Sequence, residues 1–491
     1  MTRIGPLLPL MSIAMGIAIS SAANLSWLCG ILPIVSAIAV YYVLMTKSGN
    51  PVAAYRLNRW HNLWIVALFS GIGMIDEGLS RPRTLEDVYD GNIPVLLQCE
   101  VTGIQTATHG DRIEVMIDNT NGAYAQVRSG AVALSPGDIV TVPSSGLIRL
   151  SADTTEISRR IAPMLMAKGI LYSGWISPDD MAIIGHVCSL RSFFHDIRES
   201  IEIEIERSNL RKRTADFLKA ILMGDKTGLD ENVRMTFVNG GTAHMLALSG
   251  LHMGIIAGLM MWLMWPVKAI GRYKWGYGAM LPILWCYVLL SGMSPSAVRA
   301  CIMISFAFVA IIMERRNSIA SALCSACLLI LLFDPMTLFD AGFQLSVTCV
   351  ASLIAFASRL NPMDRRKHPL LYGICGAILA TLVATGASWA LTSFYFGQIP
   401  LMFLPTNLLL IPLLPIYIAI GVVFVTFICC GLEVEWLGVI LDHGYDFMIW
   451  ATHTLSADEE FVVSYQIPLW ALAAWIFMLC VSAWALNRQT S

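Results

Sequence analysis

The chain has 491 residues, 56% hydrophobic and 13% charged, with a formal net charge of -2 and a mean hydropathy of +0.66. Soluble domains carry about a quarter charged residues, so this composition excludes that class and points to an integral membrane protein. In chain order, apolar runs at about 5–20 and 25–45 read as an uncleaved helical hairpin, because no small-residue cleavage site leads into a polar start. Further runs long enough, or nearly so, for a hydrocarbon core of about 30 Å lie at about 62–75, 243–265, 277–291, 297–313, 318–333, 341–358, 370–396, 401–428 and 466–486. A weaker one, 436–455, is interrupted by Asp442, His443, Asp446 and His453 and either crosses or lies along the interface. The expected fold class is a polytopic α-helical membrane protein of about eleven or twelve spans with an inserted small β-barrel.

Loop charge orients these spans. Counting loops alternately, one side collects Arg3, Lys47, Arg56, Arg59, Lys268, Arg272, Lys274, Arg315, Arg316, Arg359, Arg365, Arg366, Lys367 and Arg488, while the short loops of the other side contain no Lys or Arg. The positive-inside rule makes the basic side cytoplasmic and puts the long stretch 76–240 on the outer side. Pro405, Pro412 and Pro415 predict a broken or kinked passage in 401–428.

Within that outer stretch, 94–104, 111–118, 123–129, 138–149 and 170–185 read as short β segments separated by turn residues, and five such strands fit a small Greek-key barrel of the OB type. An OB-fold suggests single-stranded nucleic acid, but 76–240 holds 17 Lys plus Arg against 23 Asp plus Glu, and aromatics on the strands are sparse, chiefly Tyr124, Tyr172 and Trp175. A structural or partner-docking barrel fits equally well. Cys99 and Cys188 could pair as a disulfide if the region faces an oxidising compartment. Residues 189–223 then read as one helix, with Ile197, Ile201 and Ile205 on one face. Its Arg207, Arg211, Lys212 and Arg213 are either a solvated face or a guide for a polyanion.

The run His244-Met245-Leu246-Ala247-Leu248-Ser249-Gly250-Leu251-His252-Met253-Gly254 opens the next span. Titratable groups at membrane depth are expensive and are presumed functional; the alternatives are an interfacial His244 and a His252 bonded to a neighbouring helix. On a single helix, His252 would stand about 12 Å deeper than His244, and Ser249 and His252 would share a face. Arg299, near the outer end of its span, and Asp340, capping the outer end of another with Gln344 one turn in, are expected partners, serving as a helix clamp or a substrate contact.

The histidine run resembles the signature of the ComEC/Rec2 family, polytopic proteins that pass single-stranded DNA across the bacterial inner membrane in natural transformation. So do Ser291-Gly292-Met293-Ser294-Pro295-Ser296-Ala297-Val298-Arg299-Ala300 and the stretch from Asp334-Pro335 to Phe339-Asp340-Ala341-Gly342-Phe343-Gln344-Leu345-Ser346, in the family's order, and more weakly Leu404-Pro405-Thr406-Asn407-Leu408-Leu409. The resemblance covers roughly residues 76 to 430 and adds to the OB-like reading. It implies a DNA pathway lined by His244, Ser249, His252, Arg299 and Gln344, with Asp340 as structural partner and the Arg207–Arg213 cluster as a DNA guide. Two family features are missing: the H-x-H-x-D-H run of a C-terminal metallo-β-lactamase-like domain, and the N-P-G-G-F-D type entry after the barrel.

The implied domains are 1–75 (three spans), 76–188 (OB-like, extracytoplasmic), 189–240 (amphipathic connector), 241–430 (competence-type membrane core) and 431–491 (C-terminal membrane segments). The implied partners are single-stranded DNA, the lipid bilayer, a cytoplasmic motor protein, a periplasmic DNA-binding protein and a separate nuclease. No cofactor, metal or enzymatic activity is expected. Two histidines fall short of the three ligands zinc needs, and Gly224-Asp225-Lys226-Thr227 lacks the upstream glycine of a P-loop. A small-molecule or lipid-linked transporter remains an alternative, and an intramembrane hydrolase using Ser249 with a histidine is a third reading, although no G-x-S-x-G elbow is present.

Overall fold

The computed structural model describes residues 7–23, 61–80, 93–105, 111–117, 124–129, 134–150, 170–187, 189–246, 248–269, 273–314, 319–357, 369–400, 402–432, 434–456 and 462–489, with isolated positions between them. Helices α1 (Leu7–Ala23) and α2 (His61–Ser80) precede seven strands: β1 (Leu96–Gln105), β2 (Asp111–Ile117), β3 (Tyr124–Ser129), β4 (Asp138–Pro143), β5 (Ile148–Arg149), β6 (Ile170–Trp175) and β7 (Ala182–His186). Then come α3 (Leu190–Arg207), α4 (Lys212–Met223), α5 (Glu231–Asn239), α6 (Gly250–Leu263), α7 (Trp265–Ala269), α8 (Tyr273–Leu290), α9 (Pro295–Ile312), α10 (Ile319–Phe333), α11 (Ala341–Ser352) and α12 (Pro369–Phe396). The strand β8 (Gln398–Pro400), helices α13 (Phe403–Cys429) and α14 (Glu435–Ser456), strand β9 (Val462–Ser464) and helix α15 (Leu469–Gln489) complete the order. Two compact units result, Met1–Ser189 with Asn317–Phe343, and Leu190–Arg316 with Gln344–Ser491. The expected span 25–45 lies almost wholly outside the described residues.

In the first unit α1 packs on α2 through glycines. A Cβ on Gly16 would clash with the Ser70 carbonyl, and one on Gly73 would stand 2.5 Å from the Ile13 carbonyl oxygen. Without side chains at these points the two backbones approach closely enough to bury Ile13 and Ile17 completely. Gly16→Leu is therefore expected to force the pair apart and cost about 1–3 kcal/mol, read as an earlier denaturation midpoint in detergent. An unchanged midpoint would contradict the packing.

The strands form one open sheet in the order β5-β6-β3-β2-β1-β4-β7. Alternate residues Leu97, Cys99 and Val101 on β1, Ile113, Val115 and Ile117 on β2, Ala125 and Val127 on β3, and Val140 and Val142 on β4 are buried together, the period-two pattern of a half-buried sheet. Two of the five expected β segments are split. A 3₁₀ turn at Ser144–Gly146, after Pro143, divides 138–149, and another at Pro178–Asp180 divides 170–185. The closed OB-like barrel expected from the sequence is replaced, among the described residues, by this open sheet: β3 and β6 pair in parallel, and the outermost strands, two-residue β5 and β7, each have one neighbour there.

In the second unit the helix expected over 189–223 is two, because the chain turns at Ser208–Arg211, where Arg211 is extended (φ -62°, ψ 140°) as the N-cap of α4. Ten of the twelve α4 residues are buried, among them Phe217, Leu218, Ile221 and Leu222, in a core shared with α13 and α14. The Phe217 ring lies 5.1 Å from that of Tyr445, 5.7 Å from Tyr417 and 5.8 Å from Phe237. Helix α13 continues through Pro412 and Pro415 as a single helix of 27 residues, so the expected break is absent. Among the described residues, Pro295–Ile312, Leu371–Phe396 and Phe403–Cys429 are long and apolar enough to cross a membrane, with shorter apolar helices beside them, which marks a membrane protein.

Candidate functional site

The sequence expects one helix from residue 243. Instead, Ala243–Met245 form a 3₁₀ turn after Gly241, whose φ is +69°, and α6 begins only at Gly250. The reason is a cap. Ser249 adopts extended dihedrals (φ -117°, ψ 171°), its side chain receives the amide of residue 252, and its own backbone N–H donates to His252 Nδ1 at 3.3 Å. Ser249 Oγ lies 2.9 Å from the same ring nitrogen. This is a capping box with histidine in the place usually held by Glu or Gln. His244 and His252 therefore do not share a helix, and the depth difference reckoned along one does not apply.

A backbone amide can only donate, so His252 Nδ1 accepts and the neutral ring carries its proton on Nε2. His252 is 0% exposed, and this Nε2 has no hydrogen-bond partner among the described residues. His244 is exposed on the 3₁₀ turn that precedes this cap.

The first turn of α9 meets the first turn of α6. Ser296 Oγ donates to the Leu248 carbonyl, and Gly250 faces Ala300, whose Cβ would stand 3.8 Å from a Cβ at Gly250. Met253 shares a core with Ala297 and Cys301. Arg299 is buried on this helix, 6% exposed. Ser294, the N-cap of α9, makes no side-chain cap bond, and its buried Oγ has no partner among the described residues. The loop before it turns through Gly292 (φ +75°) and Met293 (φ +54°).

The structure thus brings Ser249, His252 and the helix carrying Arg299 together, with His244 alongside. Gln344 Oε1 accepts from Tyr395 Oη on α12 at 3.0 Å. Asp340 belongs to the first unit, where Oδ2 accepts the Phe343 amide at 2.9 Å and caps α11. Cys99 is buried in the sheet core, and Cys188 lies outside the described residues. In the basic cluster, Arg207 pairs with Glu204 at 3.2 Å, and Arg211 bridges Asp442 at 3.2 Å and Asp446 at 2.8 Å, which raises its pKa. Only Lys212 and Arg213 of the four are left out of these ion pairs.

Sequence reasoning missed a second charged group. Lys219, 5% exposed on α4, donates to Glu206 Oε1 at 2.7 Å and lies 3.1 Å from Asp216 Oδ1, itself 9% exposed. Burial works against the lysine charge, but the bonds to Glu206 and Asp216 prevail and hold its pKa above 10.5. The hydrogen bond from Lys219 in turn holds Glu206 below 4.5. A lysine inside Phe217-Leu218-Lys219-Ala220-Ile221-Leu222 was the available signal. Asn407 was also missed: it is 3% exposed near the start of α13, and its Oδ1 has no partner among the described residues.

A family model described as "Competence protein" matches residues 221–489, a stretch that includes α6, α9 and α13. The chain is 30% identical over 210 residues to ComE operon protein 3 of Bacillus subtilis (strain 168), covering 43% of this chain and 26% of that protein. It is 26% identical over 279 residues to Competence protein ComA of Neisseria gonorrhoeae, covering 52% of this chain and 39% of that one. Over 207 residues it is 26% identical to a protein named YcaI of Escherichia coli (strain K12), covering 39% and 26% of the two chains. The matched stretches thus span between about a quarter and two fifths of these relatives. No solved structure matches the chain.

Proposed function

The chain belongs to the competence protein family, of the ComEC type, and on that premise we propose that its helical core carries incoming single-stranded DNA across the bacterial inner membrane during natural transformation. The observation that carries this reading is the junction of α6 and α9, where a buried histidine and a buried arginine stand among apolar helices that include a membrane-length one. Groups so costly at membrane depth are retained for a substrate that needs them, and a polyanionic strand needs donors and cations. In this reading about eleven or twelve helices cross the bilayer, the basic loops are cytoplasmic, and the sheet domain stands on the outer side. A cytoplasmic motor, a periplasmic DNA-binding protein and a separate nuclease supply energy, delivery and strand removal.

We read the chain as a conduit and not an enzyme. The Ser249–His252 contact has the form of a hydrolase pair, but the ring nitrogen it uses is already engaged by the Ser249 amide as a helix cap. Replacing Arg299 with Gln in membrane-inserted protein is expected to cut transformation by at least about tenfold while leaving DNA binding at the cell surface intact. Transformation at the parental level, with membrane insertion verified, would remove the reading.

A further inference from the structure

We propose that the facing first turns of α6 and α9 form a seat for one phosphodiester oxyanion, with His252 Nε2–H as a hydrogen-bond donor to it and Arg299 as its counter-charge. The inference rests on the conduit reading for its choice of DNA as the source of the phosphodiester, but the seat itself is argued from the junction alone. His252 is the point of departure. Its proton is fixed on Nε2 because Nδ1 accepts from the Ser249 amide at 3.3 Å, and this Nε2–H is wholly buried with no acceptor among the described residues. A buried donor without an acceptor is costly, and it marks a place where an acceptor arrives from outside the chain.

The surroundings select the sign of that acceptor. Nδ1 is turned back toward the cap, so Nε2 is carried on the far side of the ring, away from Ser249. The helix packed against this turn is α9, joined through Ser296 to the Leu248 carbonyl and through Ala300 to Gly250. Its N-terminus is uncapped: Ser294 makes no cap bond, its buried Oγ is a further donor without a partner among the described residues, and the next residue is Pro295. The amides that follow keep their partial positive charge at this level. Arg299 adds a full charge one turn on, 6% exposed. From Gly240 to Ile312 the sequence contains no Asp or Glu, so the formal charge carried by this stretch is positive. A tetrahedral oxyanion with several acceptor oxygens fits this set of donors, whereas a metal cation would meet a ring nitrogen that already bears a proton.

The test uses full-length protein in an uncharged maltoside detergent, with fluorescein-labelled single-stranded oligothymidylate as the probe. A second probe of the same length carries uncharged methylphosphonate linkages in place of phosphodiesters. Parental protein is expected to bind the phosphodiester strand at least about tenfold more tightly than the methylphosphonate strand. His252→Met keeps most of the volume but has no N–H, and it also gives up the cap bond from the Ser249 amide, so it is expected to melt somewhat below the parental temperature, to stay folded and to lose that discrimination. Arg299→Gln is expected to lose it as well. Equal binding of the two probes by parental protein, or full discrimination by a folded His252→Met, would overturn the seat. Phosphatidylglycerol retained by the parental protein in native mass spectrometry and released by His252→Met would support the seat with a lipid headgroup as its phosphodiester. If both variants lose discrimination while transformation stays at the parental level, the seat stands and the conduit reading falls. If transformation is lost while discrimination persists, the reverse holds.

Discussion

Lys219→Met should lower the stability of the second unit by about 3 kcal/mol, the lower end for breaking a buried ion pair, because Glu206 reaches water. The ammonium it removes is 2.7 Å from Glu206 and 3.1 Å from Asp216, and Asp216 would be left 9% exposed with its charge uncompensated. Adding Asp216→Asn should restore most of the loss, since the remaining carboxylate, on Glu206, is 62% exposed and stays solvated. Chemical denaturation of the purified protein in detergent measures both variants, and a double variant no better than the single would show that the pair is not coupled. The same group sets a pH window. Glu206 is held below 4.5 in the fold, so its stabilisation is complete above that value and is lost as pH falls through the folded pKa. Lys219 is held above 10.5, so its stabilisation is complete below that value and is lost as pH rises through the folded pKa. Lys219→Met should flatten stability at both ends of this window.

Phe217→Ala should cost about 3–5 kcal/mol, the range for emptying a fully buried aromatic site. Phe217 is 0% exposed and touches three rings, from Phe237, Tyr417 and Tyr445, that arrive on three different helices. The cavity cannot collapse by moving one neighbour, which places the loss toward the upper end. Phe217→Leu, which keeps most of the volume, should lose less than half as much. Equal midpoints for Phe217→Ala and the parental protein would mean that α4 is not held by this core.

The sequence made the apolar helices and the β segments legible for different reasons. Helices α8, α9, α10 and α12 follow from long, mainly apolar runs, where burial in lipid or protein leaves no other backbone solution. The strands follow from period-two burial, as in Leu97, Cys99 and Val101, but sheet closure depends on which edges meet, and that is a long-range property no local pattern encodes. Pro143 and Pro178 were visible, yet the splitting of two segments beside them needed the turn geometry. The start of α6 was misplaced because histidine is not the usual third residue of a capping box, so Ser249 read as part of a helix and not as its boundary. Lys219 was passed over because it interrupts an apolar face where a pairing carboxylate from the preceding helix, Glu206, is invisible to periodicity. In the cationic cluster the sequence supplied the charges but not Asp442 and Asp446, 231 and 235 positions away from Arg211, which neutralise one of them.

The outer rim of the sheet has a practical outcome. Among the described residues strand β7 pairs with β4 on one flank only, and Ile183 and Ile184 are each 55% exposed along it. Such a strand offers a row of unmatched amides and carbonyls flanked by oily side chains, which is a template for another polypeptide. Overproduced in isolation, the segment from Ile93 to Val187 would stick to copies of itself along that rim, and a lysine in place of Ile183 is the simplest guard against it.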